Sequence, residues 1–372
     1  LHQIMSNESI VRWGILSTAE IARKNWRAIR NSGNGIVTAV ASRDAERSRR
    51  FIAECQTQAP FDDLPQAFGN YEALLASKDV DAVYVPLPTG LRKEWVIRAA
   101  AAGKHVICEK PCATGVSHLQ EMFTACHRNR VQFMDGVMFM HSRRLQAIRN
   151  ELDDGRIGQI RRLALGFSFA APPEFFTGNI RAHSSLEPDG CLGDLGWYCI
   201  RFALWAMQGQ LPRGATGRVL SQLGRTDSPA PVPTEFSAEL FFEEGVSAGF
   251  YCSFIAELQQ WAHVSGTKGS LRIADFVLPY FGNELAFEVS NPVYRVSGCD
   301  FNMEPNTRRH AVPEYSNSHA SAQETNLFRN FAQQVRSGRV NQDWFNIAMK
   351  TQQVMEACLA SARADGRFVT VA

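Results

Sequence analysis

No run of apolar residues in this chain reaches the about 18 needed to span a bilayer. Nothing in its charge marks a polyanionic partner either, because 39 Lys and Arg against 37 Asp and Glu leave a formal charge of +2 over 372 residues. Such a balance supplies neither the basic field that gathers nucleic acid nor a polybasic membrane patch. A disulfide framework is also missing. The nine cysteines are odd in number and scattered from Cys55 to Cys358, which fits reduced thiols in a cytoplasmic protein. Cys108 and Cys112 lie close together, but no second pair with His completes a zinc pattern, so no metal is expected. The stretch LHQIMSNESIVRW lacks a basic region followed by a sustained apolar one, and no secretory leader is expected. Lysine is scarce beside arginine, which draws attention to any lysine in a special context.

What is present in the first 135 residues is alternation. Ile10 to Leu16, Ile36 to Ala41, Ala82 to Val85, His105 to Cys108 and Val131 to Met134 are short apolar runs separated by helix-compatible segments, the pattern of a parallel, doubly wound sheet. After Met134 the texture changes. Period-two stretches at Arg161 to Phe169, Phe236 to Phe242, Val246 to Phe254 and Ser270 to Ala274 predict a mainly antiparallel open sheet, with Glu243-Glu244-Gly245 as a hairpin turn. Long helices return near Ala320 to Val335 and Ile347 to Ala364. The expected fold class is therefore α/β: a Rossmann-like domain over 8–136, then an α+β domain over 137–372.

Glycine is absent where such a fold most uses it. The first strand runs into GILSTAEIARK, and the frame that would read G-x-G-x-x-G holds Ser17-Thr18-Ala19-Glu20-Ile21-Ala22. Glycines there let a pyrophosphate approach backbone N–H groups at a helix N-terminus. Ser17 and Ala19 are small, and Ala22 is an accepted third residue, so Ser17, Thr18 and Ala19 are candidate cofactor contacts. An ordinary strand-to-helix connection is the alternative. About 25 residues on, where an NAD-specific fold places a carboxylate on the adenosine ribose, the chain has Ser42 and Arg43, with Arg47 one helical turn later. A hydroxyl and guanidinium groups suit a 2′-phosphate, which favours NADP(H) and leaves NAD(H) possible. The alternative for Arg47 is a solvated helix face.

Two further features stand out. Lys110 directly follows the strand His105 to Cys108, at the carboxyl end of a parallel sheet where open α/β folds carry out chemistry, and Pro111 stiffens its turn. From Leu192 the sequence LGDLGWYCIRFALWAM predicts a helix apolar on nearly every side except at Asp194, Tyr198 and Arg201, spaced i, i+4, i+7. A polar stripe on a buried helix either faces a site or is held in an internal network.

With GILSTAEIARK, AVASRD, VDAVYVPLPTGLRKEWVIRAAAAGKHVICEKP, VQFMDGVMFMHS and GDLGWY, the chain resembles the glucose-fructose oxidoreductase / inositol dehydrogenase (Gfo/Idh/MocA) family, in the branch with Tyr in place of the catalytic His, similar to dimeric dihydrodiol dehydrogenase. The resemblance implies an NAD(P)-dependent dehydrogenase or reductase acting on CH–OH groups of a sugar, polyol or diol. It implies Lys110 as the EKP lysine at nicotinamide and substrate, Asp194 and Tyr198 at the D-x-G-x-H position, and Pro86, Leu87 and Glu109 as further cofactor contacts. Tyr198 is then a general acid/base tuned by Lys110, or Lys110 is itself the proton donor. Asp194 accepts from a substrate hydroxyl, and Arg181 is a candidate substrate contact. Arg92 stands where His is common, so contacts there are expected to differ. A homodimer or homotetramer built through the second domain is expected. Two rivals remain at this point: a tight-NAD enzyme using transient oxidation for elimination or glycoside cleavage, and a non-catalytic NADP(H)-binding regulator.

Overall fold

The computed structural model describes residues 10–371, so the reading of the N-terminal stretch as free of a leader, and the start of the first domain at residue 8, lie outside the described residues. The chain forms two compact units, one comprising the chain up to His141 together with Tyr315–Met349, the other comprising Ser142–Glu314 together with Lys350 onward. It passes from one unit to the other at 141/142, 314/315 and 349/350.

In the first unit, strands β1 (Val11–Leu16), β2 (Gly35–Ala41), β3 (Gln66–Phe68), β4 (Ala82–Val85), β5 (His105–Cys108) and β6 (Phe133–Asp135) alternate with helices α1 (Glu20–Ser32), α2 (Ala45–Gln58), α3 (Tyr71–Ala76), α4 (Thr89–Ala101) and α5 (Val116–Arg128). The strands pair in parallel in the order β3-β2-β1-β4-β5-β6. That order reverses direction at β1, which sets the crevice between β1 and β4 at the carboxyl edge. The expected parallel, doubly wound sheet is thus what forms, and β3 is an addition too short to show a period.

β1 is buried on both faces, as a central parallel strand must be. Trp13 is fully buried, and its ring meets Phe328 edge-on at 5.2 Å and Phe331 at 5.4 Å. Both phenylalanines belong to a returning helix, α9 (Gln323–Arg336; helices are numbered along the chain, α6 to α8 lying in the second unit). Gly35 makes room for the indole, since a Cβ there would lie 2.7 Å from Trp13 Nε1. The return is also tied by polar groups: Asn34 Nδ2 donates to the Arg329 carbonyl at 3.0 Å, Arg329 Nε to the Ser32 carbonyl at 2.9 Å, and Lys24 pairs with the buried Glu324 at 3.3 Å. Residues from far along the chain therefore complete the core of the first unit.

The second unit carries α6 (Arg143–Asp153), β7 (Ile160–Ser168), α7 (Pro173–Gly178), α8 (Trp197–Ala206), β8 (Gly214–Leu223), β9 (Val232–Phe241), β10 (Ser247–Ser253), β11 (Gln259–Gly266), β12 (Ser270–Ile273), β13 (Glu284–Ser290), the hairpin β14 (Val293–Ser297) and β15 (Asp300–Glu304), β16 (Thr307–Pro313) and β17 (Val369–Thr370). Nine of these strands form one sheet, in the order β16-β13-β12-β11-β7-β10-β9-β8-β17. Every pairing is antiparallel except β7 with β10, which is parallel, so the sheet is mixed and mostly antiparallel. β9 and β10 meet at the expected turn, where Glu244 and Gly245 take φ of 56° and 73°. A last helix, α10 (Gln342–Arg363), belongs to the first unit up to Met349 and to the second from Lys350.

All nine cysteines are free thiols, with Cys299 exposed and the others buried. Among the described residues, no helix is long and apolar enough to cross a membrane and no group of three or more His, Cys, Asp or Glu is placed to hold a metal.

Removing the aromatic wedge from α9 should show how far the first unit depends on it. Phe331→Ala deletes a fully buried ring and is expected to cost about 3–5 kcal/mol, read as a lower midpoint in urea denaturation.

Candidate active site

The turn after β1 shows how a chain without the fingerprint glycine keeps the fingerprint backbone. Ser17 holds φ at 124°, a region that glycine enters freely and other residues rarely adopt. Its N–H donates to the Ala41 carbonyl at 2.9 Å, and its Oγ accepts the Ala19 N–H at 3.1 Å. The hydroxyl thus supplies a local bond that offsets part of the strain. Ala19 is the N-cap of α1 and offers no side-chain cap, and of the first-turn N–H groups Ala22 bonds back to the Ala19 carbonyl at 2.9 Å. This is the polarity an anion meets at a helix N-terminus.

At the end of β2 the polar groups divide their work. Ser42 is buried, and its Oγ donates to the Asp44 carbonyl at 2.6 Å and accepts from Ser48 Oγ at 3.0 Å. Asp44 caps α2 by accepting the Glu46 N–H at 2.9 Å. Ser42 is therefore committed to the turn, whereas Arg43 and Arg47 are exposed. Arg47 Nε donates to Thr18 Oγ1 at 2.9 Å and so links this region to the turn after β1.

Register brings the next group together. Val85 pairs with Cys108, which sets Pro86 and Glu109 side by side at the carboxyl ends of β4 and β5. Tyr84, fully buried, donates its phenolic O–H to Glu109 Oε1 at 2.6 Å and accepts from Asn25 Nδ2 at 2.6 Å. Burial and then the neighbouring Glu109 charge hold the Tyr84 phenol well above its ordinary pKa. Glu109 Oε2 accepts the Lys110 N–H at 3.3 Å, and the carboxylate lies over Gly136, where a Cβ would come within 3.2 Å of it. The Lys110–Pro111 bond is cis, and Lys110 is buried at 9% exposure. Leu87 is buried beside this turn, and its carbonyl accepts from Arg92 Nε at 2.6 Å. Tyr84, Asn25 and Arg92 gave no warning of these roles in the sequence.

In the second unit the expected long helix divides. Leu192–Gly196 is a π turn, and the α-helix starts only at Trp197. The i, i+4, i+7 stripe therefore does not run straight, because a π turn bonds i to i+5. Such turns recur at functional sites. Asp194 sits in this turn and forms an ion pair with Arg181, Oδ2 to Nε at 2.8 Å. The Asp194 charge holds the guanidinium above its usual pKa, and Glu187 and Tyr198 add to the effect. Tyr198 is buried at 6% exposure, its ring 5.7 Å from that of Phe167. Asp194, Tyr198 and Arg181 are thus grouped in one unit. Arg201 is different: fully buried, it donates from Nε to Thr351 Oγ1 at 2.9 Å and lies over the Trp197 ring, an internal network.

Asp189, just before the π turn, was not singled out by any motif. Its carbonyl accepts the Gly193 N–H at 3.1 Å, and its buried Oδ2 has no hydrogen-bond partner. The adjacent Gly190, at φ 47°, lies so close to the Pro233 carbonyl that a Cβ would be 2.1 Å from its oxygen. Burial, with Glu187 adding and Arg363 opposing, pushes the Asp189 carboxyl up to about 7.

The chain matches the description "Oxidoreductase family, NAD-binding Rossmann fold" over 11–137 and "GFO/IDH/MocA C-terminal domain" over 145–272. It is 37% identical to dTDP-3,4-didehydro-2,6-dideoxy-alpha-D-glucose 3-reductase of Actinomadura kijaniata over 53% of this chain, a match that spans 56% of that protein. It is 30% identical to trans-1,2-dihydrobenzene-1,2-diol dehydrogenase of Mus musculus over 72% of this chain and 76% of that one. A crystal structure of a 3-ketoreductase from Actinomadura kijaniata with NADP and TDP-benzene superposes with a TM-score of 0.78 at 27% identity, covering 95% of this chain and 98% of the other.

The proton on Asp189 gives a stability test. In the unfolded chain the carboxyl titrates near 4, so the native state holds an extra proton between about 4 and 7, and stability falls as pH rises through that window. Asp189→Asn should gain stability relative to the native chain at pH 8 and gain less at pH 5, measured by denaturation at both. With a Rossmann unit, a π turn bearing Asp194 next to Tyr198, and these matches, the chain belongs to the Gfo/Idh/MocA family of oxidoreductases.

Proposed function

We propose that this protein transfers a hydride between NADP(H) and the carbinol or carbonyl carbon of a sugar or a sugar-like polyol or diol. The observation that carries the reading is the pair of constellations: a lysine on a stiff turn at the carboxyl edge of the parallel sheet, and a buried tyrosine beside an Asp–Arg ion pair. Relatives named as a dideoxy-sugar 3-reductase and a dihydrodiol dehydrogenase support the substrate class. When bound, the nicotinamide supplies the hydride chemistry.

The residues present fit such a cofactor. The Ser17 turn and the uncapped start of α1 suit a pyrophosphate, with Thr18 and Ala19 beside it. Arg43 and Arg47 suit a 2′-phosphate, Ser42 shaping their turn. Pro86, Leu87 and Glu109 line the edge leading to Lys110. In the reaction, Tyr198 exchanges a proton with the substrate oxygen, and the Lys110 ammonium stabilises the phenolate that results. Asp194 accepts a hydrogen bond from a substrate hydroxyl, while Arg181 fixes the carboxylate and contacts substrate in turn. The alternative proton donor, Lys110, predicts the same loss on its own removal but retained turnover without Tyr198.

We take 8–136 as the cofactor-binding part and 137–372 as the substrate and assembly part, with α9 returning to the core of the first unit. The nine-stranded sheet supports assembly as a homodimer or homotetramer, because its β9 alternates buried and half-buried residues from Thr234 to Phe241, leaving one face less covered. Free thiols fit a reducing cytoplasm.

Cofactor choice is tested by Arg43→Ala, which should weaken NADPH binding by about tenfold or more through loss of a charged phosphate partner while leaving NADH within about twofold. Equal losses would remove the 2′-phosphate role. The reaction is tested by a screen of aldoses, keto-sugars, anhydro-sugars and dihydrodiols with NADP⁺ and NAD⁺ in both directions, followed by Tyr198→Phe, Lys110→Met and the double variant. Each single change should remove most of kcat with NADPH affinity largely intact, and the two should be strongly non-additive, as for residues acting as a unit. Near-native turnover by Tyr198→Phe would exclude it from the mechanism.

A further inference from the structure

The turn bearing Lys110 is held from two sides. Upstream, Glu109 is fixed by the Tyr84 phenol and accepts the Lys110 N–H. Downstream, the contact comes from Arg92 on α4. Its side chain is buried at 6% exposure, an expensive place for a guanidinium unless its donors are used. They are used on the loops that flank Lys110. Nε donates to the Leu87 carbonyl at 2.6 Å and Nη1 to Thr89 Oγ1 at 2.9 Å, while the same Nη1 also donates to the Pro111 carbonyl. Thr89 Oγ1 in turn donates to that Pro111 carbonyl at 3.4 Å. One planar, always-charged group thereby ties the loop after β4 to the residue immediately following Lys110.

We propose that Arg92 is a positioning residue for Lys110: it contacts neither cofactor nor substrate, and it sets the place of the Lys110 ammonium by fixing the Pro111 carbonyl against the Leu87–Thr89 loop. The inference rests on the assignment of Lys110 above. The physical basis is leverage. A backbone carbonyl one residue away is coupled to the Lys110 Cα through a proline whose ring fixes φ and leaves only ψ between them, so loss of its donor moves the base of the lysine side chain. A displacement of about 1 Å at a reacting group can cost about a hundredfold in rate. Arginine is suited to the task because its fork offers donors in fixed directions, whereas lysine carries all its donors on one nitrogen and cannot occupy both the Nε and the Nη1 positions.

The test uses the full chain with Arg92→Met, Arg92→Lys and Lys110→Met. Arg92→Met is expected to lower kcat by about 30–100-fold, with the Kd of NADPH, read by its fluorescence, within about threefold of the native value and KM little changed. Arg92→Lys should recover part of that loss. Hydrogen exchange, which needs no substrate, should show faster exchange in Arg92→Met confined to peptides covering residues 86–92 and 108–113. Native turnover per folded molecule in Arg92→Met overturns the inference, as does unchanged exchange in those peptides. So does exchange accelerated through the whole first unit with kcat falling only as the folded fraction falls, which is what a purely structural arginine gives. Lys110→Met separates the two readings. Full turnover without Lys110 removes the lysine and with it the basis of the inference, whereas an inactive Lys110→Met beside a fully active Arg92→Met removes Arg92 alone. Should the native protein turn over none of the screened carbonyls, the reaction reading falls and the exchange pattern alone decides whether Arg92 holds the turn.

Discussion

The fully buried phenol of Tyr84 has to be hydrogen-bonded, and the way it is satisfied shapes the candidate site of the first unit. An unpaired O–H in that position costs about 1–3 kcal/mol. The structure meets the requirement with a carboxylate, Glu109, and an amide, Asn25, one on each side. The chain of bonds runs from α1, whose N-terminus suits a pyrophosphate, across β4, to the residue that precedes Lys110. Because Tyr84 lies on β4 and Glu109 directly follows β5, two neighbouring strands of fixed register, the Lys110 turn inherits its position from the sheet. A loop-borne lysine acquires the precision of a strand.

A different constraint governs the second unit. Gly190 is pressed against the strand beneath it, where a Cβ would strike the Pro233 carbonyl, and within the π turn a Cβ on Gly196 would come within 2.7 Å of Leu192 Cδ1 of the same turn. The backbone can approach that closely only without side chains. The widened turn then offers Asp194 to Arg181 while Tyr198 lies in the first turn of the regular helix that follows. An ion pair half open to water contributes little to stability, about 0–1 kcal/mol, and Arg181 is 40% exposed. The pair therefore does more to orient the Asp194 carboxylate than to stabilise the fold.

Much of this was legible in the sequence, for reasons that follow from period and burial. The central strands of a parallel sheet are apolar throughout, so β1, β4 and β5 stand out as runs, and His105 to Cys108 and Ala82 to Val85 come out with the observed ends. The edge of the second sheet did not stand out. Strand β16 is largely exposed with no simple alternation, β13 is period-two at Leu285, Phe287 and Val289 but was not singled out, β17 has two residues, and the separate hairpin β14–β15 is exposed nearly throughout. The π turn was invisible because it uses the same residues as a helix start, and only its backbone hydrogen bonding reveals it. Arg92 read as a variation at a possible substrate contact, but its donors point into the loops, a fact that depends on the register of β4 against β5 and cannot be read from spacing.

The missing glycine of the first turn is the instructive case, since the motif fails in letters while its conformation survives. Glycine is preferred there because φ near 124° is almost free to it, whereas strain at such a residue costs about 1–3 kcal/mol. Serine is among the few side chains able to return part of that cost, because its hydroxyl reaches the N–H two residues on. Alanine would bear the strain without the bond, and a β-branched residue would add crowding. The serine also adds an oxygen at the mouth of an uncapped helix, close to Thr18, which is already held by Arg47. Polar groups from two strand ends thus converge on the place that a glycine turn leaves bare, so the altered fingerprint exchanges some freedom of the backbone for a turn that is fixed by its own side chains.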